Sequence, residues 1–237
     1  MLEARNLSKA FGGLRVIEDV SVTVEPGSCL GIMGANGAGK STFFDLLTDV
    51  TRADGGSVHV AGRDVTASDT AGRVRAGLAR AFQVPRAFAS LSVSDTLYLA
   101  QHASHGIAPK DARARVEEIL EITGLGPHRT SPGTALRLLD RKRLELAKAL
   151  ASDPKVILLD EVSGGLTDQE TAEMVALVKR LKEAGLAVLW IEHIAHALQE
   201  ASDRIMMLAL GRKLIEDRPE VVAADPQVRA LYLGAAA

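Results

Sequence analysis

The sequence predicts an α/β fold: a mostly parallel sheet with helices on both faces, an antiparallel β lobe and an inserted helical block. Three observations carry this reading. Strand-sized apolar runs, KVILLD at 155–160 and LAVLWI at 186–191, alternate with helical patterns in the last third of the chain. Another such run, CLGIMG at 29–34, leads into a glycine-rich loop. The stretch from about Ser92 to Ala151 is mostly helical and reads as an insertion beside the sheet.

Taken in order, the first third is built of strands and turns. LEARNLSKAF is followed by VSVTVE at 20–25, which alternates, and then by the turn residues Pro26, Gly27 and Ser28. The run at 29–34 is short and apolar throughout, as a strand buried on both faces is. FFDLLTDV beyond the glycine loop reads as a helix, and SVHVAGRDV at 57–65 as a further strand and turn. In the helical block, SVSDTLYLAQ opens with small polar residues and Asp95 in its first turn, a start signal. DARARVEEILEITGL sets Val116, Ile119, Leu120 and Ile122 on or near one face and ends near Gly124. RLLDRKRLELAKALA is a third helix. Beyond KVILLD, Met174, Leu177, Val178 and Leu181 recur at helical spacing, which predicts a helix over 168–184. Thr167 and Glu170 have capping-box spacing at its start. RIMMLALGRKLIE at 204–216 reads as a hairpin about Gly211 with both strands apolar.

The 237 residues suit one α/β domain or two closely packed lobes, and bury a core without staples. Basic and acidic residues number 28 and 30, so a net charge of −2 advertises neither nucleic acid nor an anionic membrane. Apolar residues at 47% exclude a disordered chain, and aromatics at 3% argue against a base-stacking platform. Cys29 is the one cysteine, so no disulfide forms within the chain and a reducing compartment is expected. The apolar runs fall short of the roughly 20 residues of a spanning helix. The first residues, MLEARNLSKAF, hold no apolar signal core, so secretion is not expected.

GANGAGKS at 34–41 fits G-x-x-x-x-G-K-[ST] between a predicted strand and a predicted helix, and so predicts a P-loop NTPase core. Gly34, Gly37 and Gly39 let the backbone curl its N–H groups toward phosphate oxygens. Lys40 is a loop charge aimed at the β- and γ-phosphates, and Ser41 offers its hydroxyl to Mg²⁺. Ala35, Asn36, Ala38 and Thr42 complete the candidate nucleotide contacts. KVILLDEV at 155–162 is an apolar strand ending in two acids. Asp160 falls at the C-terminal edge of a sheet, where ligands bind, and would hold Mg²⁺ through water. Glu161 would polarise the attacking water. Alone, two acids closing a strand are as often ordinary solvent-facing groups; the phosphate loop gives them a task. The histidine pairs 102/105 and 193/196 lack the further ligands of a zinc site.

Lys40 and Asp160 stand 120 residues apart with the helical block between them. With these ordered motifs, essentially the whole chain resembles the ATP-binding cassette (ABC) ATPases. The resemblance implies one ATP-binding domain over 1–237, with 1–83 and 152–237 as nucleotide-binding core and β lobe and 84–151 as helical subdomain. It implies ATP and Mg²⁺ as cofactors. Phe11 in LSKAFGG matches the aromatic that stacks on adenine; the alternative is a buried strand aromatic. Gln83 in ARAFQVPRAF matches the glutamine that touches Mg²⁺ and the membrane partner. His193 in LWIEHIAHAL matches the histidine that senses the γ-phosphate. The implied catalytic set is Lys40, Glu161 and His193, and the implied metal contacts are Ser41, Gln83 and Asp160.

Two stretches depart from the family pattern. Its LSGGQ-like signature, which clamps ATP on the opposite subunit, corresponds to Leu136-Arg137-Leu138-Leu139-Asp140. Arg137 stands for the serine and Leu139 for a glycine that admits backbone to phosphate. Arg137 either reaches a phosphate itself or is a solvated helix charge. Thr167 stands where the family has aspartate, as a cap for the next helix. ARAFQVPRAFASLSVSDTL, RKRLELAKALASDPKVILLDEVSGGLT and the closing segment through YLG are most similar to the ATP-binding subunits of bacterial branched-chain amino acid uptake systems. The lipopolysaccharide export ATPases close similarly. The resemblance thus implies a motor subunit on the cytoplasmic face of a bacterial inner membrane. Its partners would be two integral membrane permease subunits, a second ATP-binding subunit, identical or different, and indirectly a solute-binding protein. No nucleic-acid partner is expected. The alternatives are a lipid or lipopolysaccharide export subunit, or a nucleotide-gated subunit with weak catalysis.

Overall fold

The computed structural model describes residues 1–233. Strands β1 (Leu2–Phe11) and β2 (Leu14–Val24) pair antiparallel about the Gly12-Gly13 turn. β4 (Gly55–Val60) and β5 (Arg63–Asp64) extend that sheet in the order β2-β1-β4-β5. The alternation at 20–24 buries Val20, Val22 and Val24 on one face.

The second sheet has the order β10-β9-β3-β8-β7-β6. β3 (Cys29–Met33), β6 (Leu78–Ala81), β7 (Val156–Asp160), β8 (Ala187–Ile191) and β9 (Arg204–Ala209) run parallel, and β10 (Arg212–Asp217) closes it antiparallel. β3, β7 and β8 are buried at every residue because each face meets its own core. Leu30, Ile32, Leu158, Leu189 and Ile191 pack with Phe43 and Phe44 of α1 (Lys40–Thr48) and with the antiparallel sheet. Cys29, Ile157, Leu159, Val188 and Trp190 pack on the other side with α5 (Leu138–Leu150), α6 (Asp168–Glu183) and α7 (Ala195–Ala201). Full burial of one such aliphatic side chain contributes about 1.5–3 kcal/mol, so the sheet is held from both faces.

α2 (Thr70–Arg75) precedes β6. α3 (Val93–His105) and α4 (Pro109–Thr123) pack with α5, which also lies against β6 and β7. Val116, Ile119 and Leu120 are buried and Ile122 is partly so, as the helical spacing requires. α4 stops at Gly124, whose φ of 72° is the left-handed cap that glycine allows. Both start signals are capping boxes, Ser92 with Asp95 and Thr167 with Glu170. α8 (Pro219–Ala224) and α9 (Pro226–Leu233) follow the hairpin, and Gly234 of the closing YLG lies outside the described residues.

Several elements differ from expectation. α2, β6 and α7 have only 6, 4 and 7 residues, too few to show a period. The hairpin about Gly211 forms, but β10 is not an apolar strand. It is an edge strand whose Arg212, Lys213 and Leu214 are exposed.

Candidate nucleotide site

Parallel strands end at one edge. The loops after β3, β6, β7 and β8 therefore emerge together, which brings Gly34–Gly39, Gln83, Glu161 and His193 to the C-terminal edge of the sheet. β8 lies between β3 and β7, so the phosphate loop and the acids hang on either side of it.

The loop is crowded from below. A Cβ on Gly34 would meet Leu208 O at 2.4 Å. One on Gly39, whose φ is 102°, would meet Ile17 Cδ1 and Val16 O at 2.8 Å. Glycine is required at both positions by space, and at the second by backbone conformation. Ala35, Asn36, Gly37 and Ser41 are exposed, Thr42 is half-buried, and Ala38 is buried. Phe43 N–H donates to Gly39 O at 2.8 Å, so the N–H groups of Lys40, Ser41 and Thr42 have no partner within the helix. Together with the helix dipole they make an anion site.

Lys40 is not the exposed loop charge expected. It is 6% exposed, and its Nζ donates to Gly34 O at 2.6 Å and Ala35 O at 3.1 Å. The loop curls around its own ammonium. Burial lowers the Lys40 pKa, while the charges of Glu161 and Asp160 oppose that shift.

Asp160 ends β7, and its Oδ2 takes Arg80 Nη2 at 2.5 Å. Arg80 also reaches Asp45 at 2.6 Å and lies over the rings of Phe82 and Phe44, 4.8 and 5.5 Å from their centroids. Glu161 follows with φ 48°, a left-handed conformation that a non-glycine residue holds at about 1–3 kcal/mol. Its N–H donates to Ile191 O at 2.9 Å, which ties the turn to β8. Its two carboxylate oxygens have different partners: Gln83 Nε2 donates to Oε2, and His193 Nε2 stands 2.5 Å from Oε1. The structure therefore joins three residues that the sequence holds far apart.

Ser41, Asp160 and Gln83 offer hydroxyl, carboxylate and amide oxygens, the hard donor set that Mg²⁺ takes. The partnerless N–H groups of the first helical turn suit phosphate, so the residues present fit ATP with Mg²⁺. When bound, Mg²⁺ neutralises phosphate charge.

The ABC transporter family model matches residues 17–164, more than half of the chain. The chain belongs to the ABC transporter family. A probable ABC transporter ATP-binding protein of Azorhizobium caulinodans is 37% identical over 236 residues, covering 98% of this chain and 83% of that protein. The lipopolysaccharide export system ATP-binding protein LptB of Escherichia coli is 32% identical, covering 98% and 97%. Among solved structures, a nucleotide-free ABC transporter cassette superposes with a TM-score of 0.87 at 27% identity, covering 98% of each chain. The ADP conformation of the cassette MJ1267 gives 0.87 and 27%, covering 99% of this chain and 98% of that one. The cassette is thus an ATPase that binds ATP with Mg²⁺, and such subunits work with membrane permease components.

The remaining candidates of the cassette lie further out. Phe11 ends β1 half exposed, with Lys9 Nζ 5.5 Å from its ring centroid, and is not a buried strand aromatic. Arg137 is the exposed N-cap residue of α5 and makes no side-chain cap. Leu139 is turned into the core at 8% exposure, whereas Leu138 is 41% exposed. The residue in the glycine position thus does not itself face outward. Thr167 caps α6.

Three neighbours of these residues are not among the candidates read from the sequence. Arg80 sits within a four-residue strand. Lys142 Nζ donates to Gln83 O at 2.6 Å and Glu161 O at 3.2 Å. Glu192 is buried and accepts from Ser163 N–H at 2.6 Å and His193 N–H at 3.2 Å. Burial pushes the Glu192 carboxyl above its usual range, against the opposing hydrogen bonds from Ser163. A charged residue in an apolar run, IEH after LAVLW, was the available signal for Glu192.

Proposed function

We propose that the cassette is the ATP-hydrolysing motor subunit of an importer for branched-chain amino acids or similar small solutes. The observation that carries the motor role is the convergence of Gln83 and His193 on the two oxygens of Glu161, beside Asp160 and Lys40. In this reading Glu161 accepts a proton from the attacking water, while His193 and Gln83 orient its carboxylate. Lys40 and the loop N–H groups stabilise charge on the phosphates. Ser41, Gln83 and Asp160 hold the metal, and Phe11 stacks on adenine.

Residues 1–83 and 152–237 act as the nucleotide-binding core with its β lobe, and 84–151 as the helical subdomain. Two integral membrane subunits engage a cleft of 640 Å³ whose lining includes Val50, Phe82, Arg86, Phe88 and Lys148. Val50, Phe82 and Phe88 are exposed apolar side chains, which supports a protein partner there. No helix among the described residues is long and apolar enough to cross a membrane. From its membership of the family we infer that the cassette works from the cytoplasmic face of a bacterial inner membrane, bound to its permease, and that a solute-binding protein acts only indirectly. It pairs with a second ATP-binding subunit, and a different one with an intact signature would complete the site built on Lys40. Import is supported by the likeness of segments 79–97 and 141–167 to the branched-chain uptake subunits.

A second reading, lipopolysaccharide export, is favoured by the LptB relatives. Purification of the tagged cassette from native membranes separates the two. Branched-chain permease subunits, with solute uptake in reconstituted vesicles, are expected. Recovery of lipopolysaccharide-extracting membrane subunits would overturn the import reading in favour of the second.

A further inference from the structure

We propose that Lys142 is a positioning residue for hydrolysis: from α5 it grips the backbone carbonyls of Glu161 and Gln83 and so fixes the carboxylate that activates water. This rests on the reading of Glu161 as that carboxylate.

Lys142 is 3% exposed, an unusual place for a lysine unless its ammonium is well partnered. Its contacts are the two carbonyls, at 2.6 Å to Gln83 O and 3.2 Å to Glu161 O. Among the described residues no carboxylate oxygen lies within 4.0 Å of it. Burial lowers its pKa, and the charges of Glu192, Glu161, Glu145 and Asp160 oppose that shift from further away. The ammonium is thus aimed at backbone, with directional bonds, rather than held as one half of an ion pair.

Both carbonyls matter to the same carboxylate. Glu161 has a left-handed backbone, and such a conformation persists where its surroundings over-determine it. Its N–H is fixed by Ile191 O, and its carbonyl accepts from Lys142 Nζ and from Gly164 N–H at 3.2 Å. Gln83, which holds Glu161 Oε2, is itself held at its carbonyl by Lys142. One side chain therefore grips the residue and one of its two holders.

The same face of α5 fastens the rest of that segment. Glu145 Oε1 accepts Arg86 N–H at 2.5 Å, and Lys148 Nζ donates to Arg86 O at 2.9 Å. Lys142, Glu145 and Lys148 recur every third residue, so α5 binds the 83–86 segment at both ends. A tilt of α5 then moves Gln83 and Glu161 together. Misplacing a catalytic group by about 1 Å costs about 10²-fold in rate.

The test is a double-mutant cycle in the full chain, read by single-turnover hydrolysis, fluorescent-ATP affinity and melting. Lys142→Met should slow hydrolysis about 10- to 100-fold while ATP affinity stays within about twofold. Lys142→Arg, which keeps the donors, should recover most of the rate. In a Glu161→Gln background, Lys142→Met should cost less than about twofold more, because the group it positions is gone. A wild-type rate for Lys142→Met, or a full additional loss in the Glu161→Gln background, overturns the proposal. Should Lys142→Met fail to melt cooperatively, Lys142→Gln carries the same comparison. A normal rate for Glu161→Gln alone would instead sink the reading of Glu161, and the proposal with it.

Discussion

Lys40 ties Gly34 O and Ala35 O together under the loop that would hold phosphate, and this gives the side chain two tasks. Lys40→Ala should abolish ATP binding. It should also loosen the loop, since losing bonds from a charged donor costs about 1.5–3 kcal/mol. Nucleotide titration and thermal melting check this together; unchanged affinity in a folded variant would contradict it. Glu192 gives a pH prediction. Its carboxyl pKa is raised in the folded state, so above the ordinary value of 4.5 the folded protein binds more protons than the unfolded one. Stability contributed by Glu192 is then present at low pH and lost as pH rises through its folded pKa. Glu192→Gln should remove that loss, so melting curves of variant and parent should diverge as pH climbs from 4.5. Parallel curves would refute it. At this scale the sequence announces Lys40, Asp160 and Glu161, because local spacing creates their chemistry. Lys142 and Arg80 could not be read, because their partners lie 59 and 80 residues away.

The start of α5 is a helix end without a cap. Arg137 stands at the N-cap, offers no acceptor to the first N–H groups, and places positive charge at the positive end of the dipole. Arg137→Ser should stabilise the cassette by about 1 kcal/mol, read by chemical denaturation. It should also raise turnover if the lone chain dimerises through this end. Leu139→Gly should act the other way, because Leu139 is packed into the core. Losing a buried leucine costs about 2–5 kcal/mol, more than restored contact with phosphate would offset. Equal stability of the two variants would contradict this assignment of their side chains. Helix starts proved legible where two side chains cap each other locally, as at Ser92/Asp95 and Thr167/Glu170. Short elements did not. β6 owes its strand to pairing with β7, and no pattern within Leu78–Ala81 reports that.

In the whole molecule, the cleft of 640 Å³ and the nucleotide edge share Arg80, which lines the first and binds Asp160 at the second. Phe88→Glu should reduce recovery of membrane subunits several-fold and leave ATP affinity alone, since Phe88 is an exposed apolar side chain lining the cleft. Pull-down from membranes beside nucleotide titration checks it; undiminished recovery would remove Phe88 from the interface. The alternation of strand and helix made the layered architecture legible, and the glycine loop follows β3 as its motif requires. Strand order was not, because the pairing of β3 with both β8 and β9 is a property of the folded sheet alone. That order has a consequence for how the site is lost. β8 bears neither the loop nor the acids, yet Glu161 N–H ends on Ile191 O, and β3 and β7 both zip onto its backbone. Amide hydrogens from Val188 to Ile191 should therefore exchange with deuterium only when the whole sheet opens. They should outlast those of β6 and β10, and the reverse order would contradict this. The glycine loop and the two acids then share one fate: neither melts while the other stands.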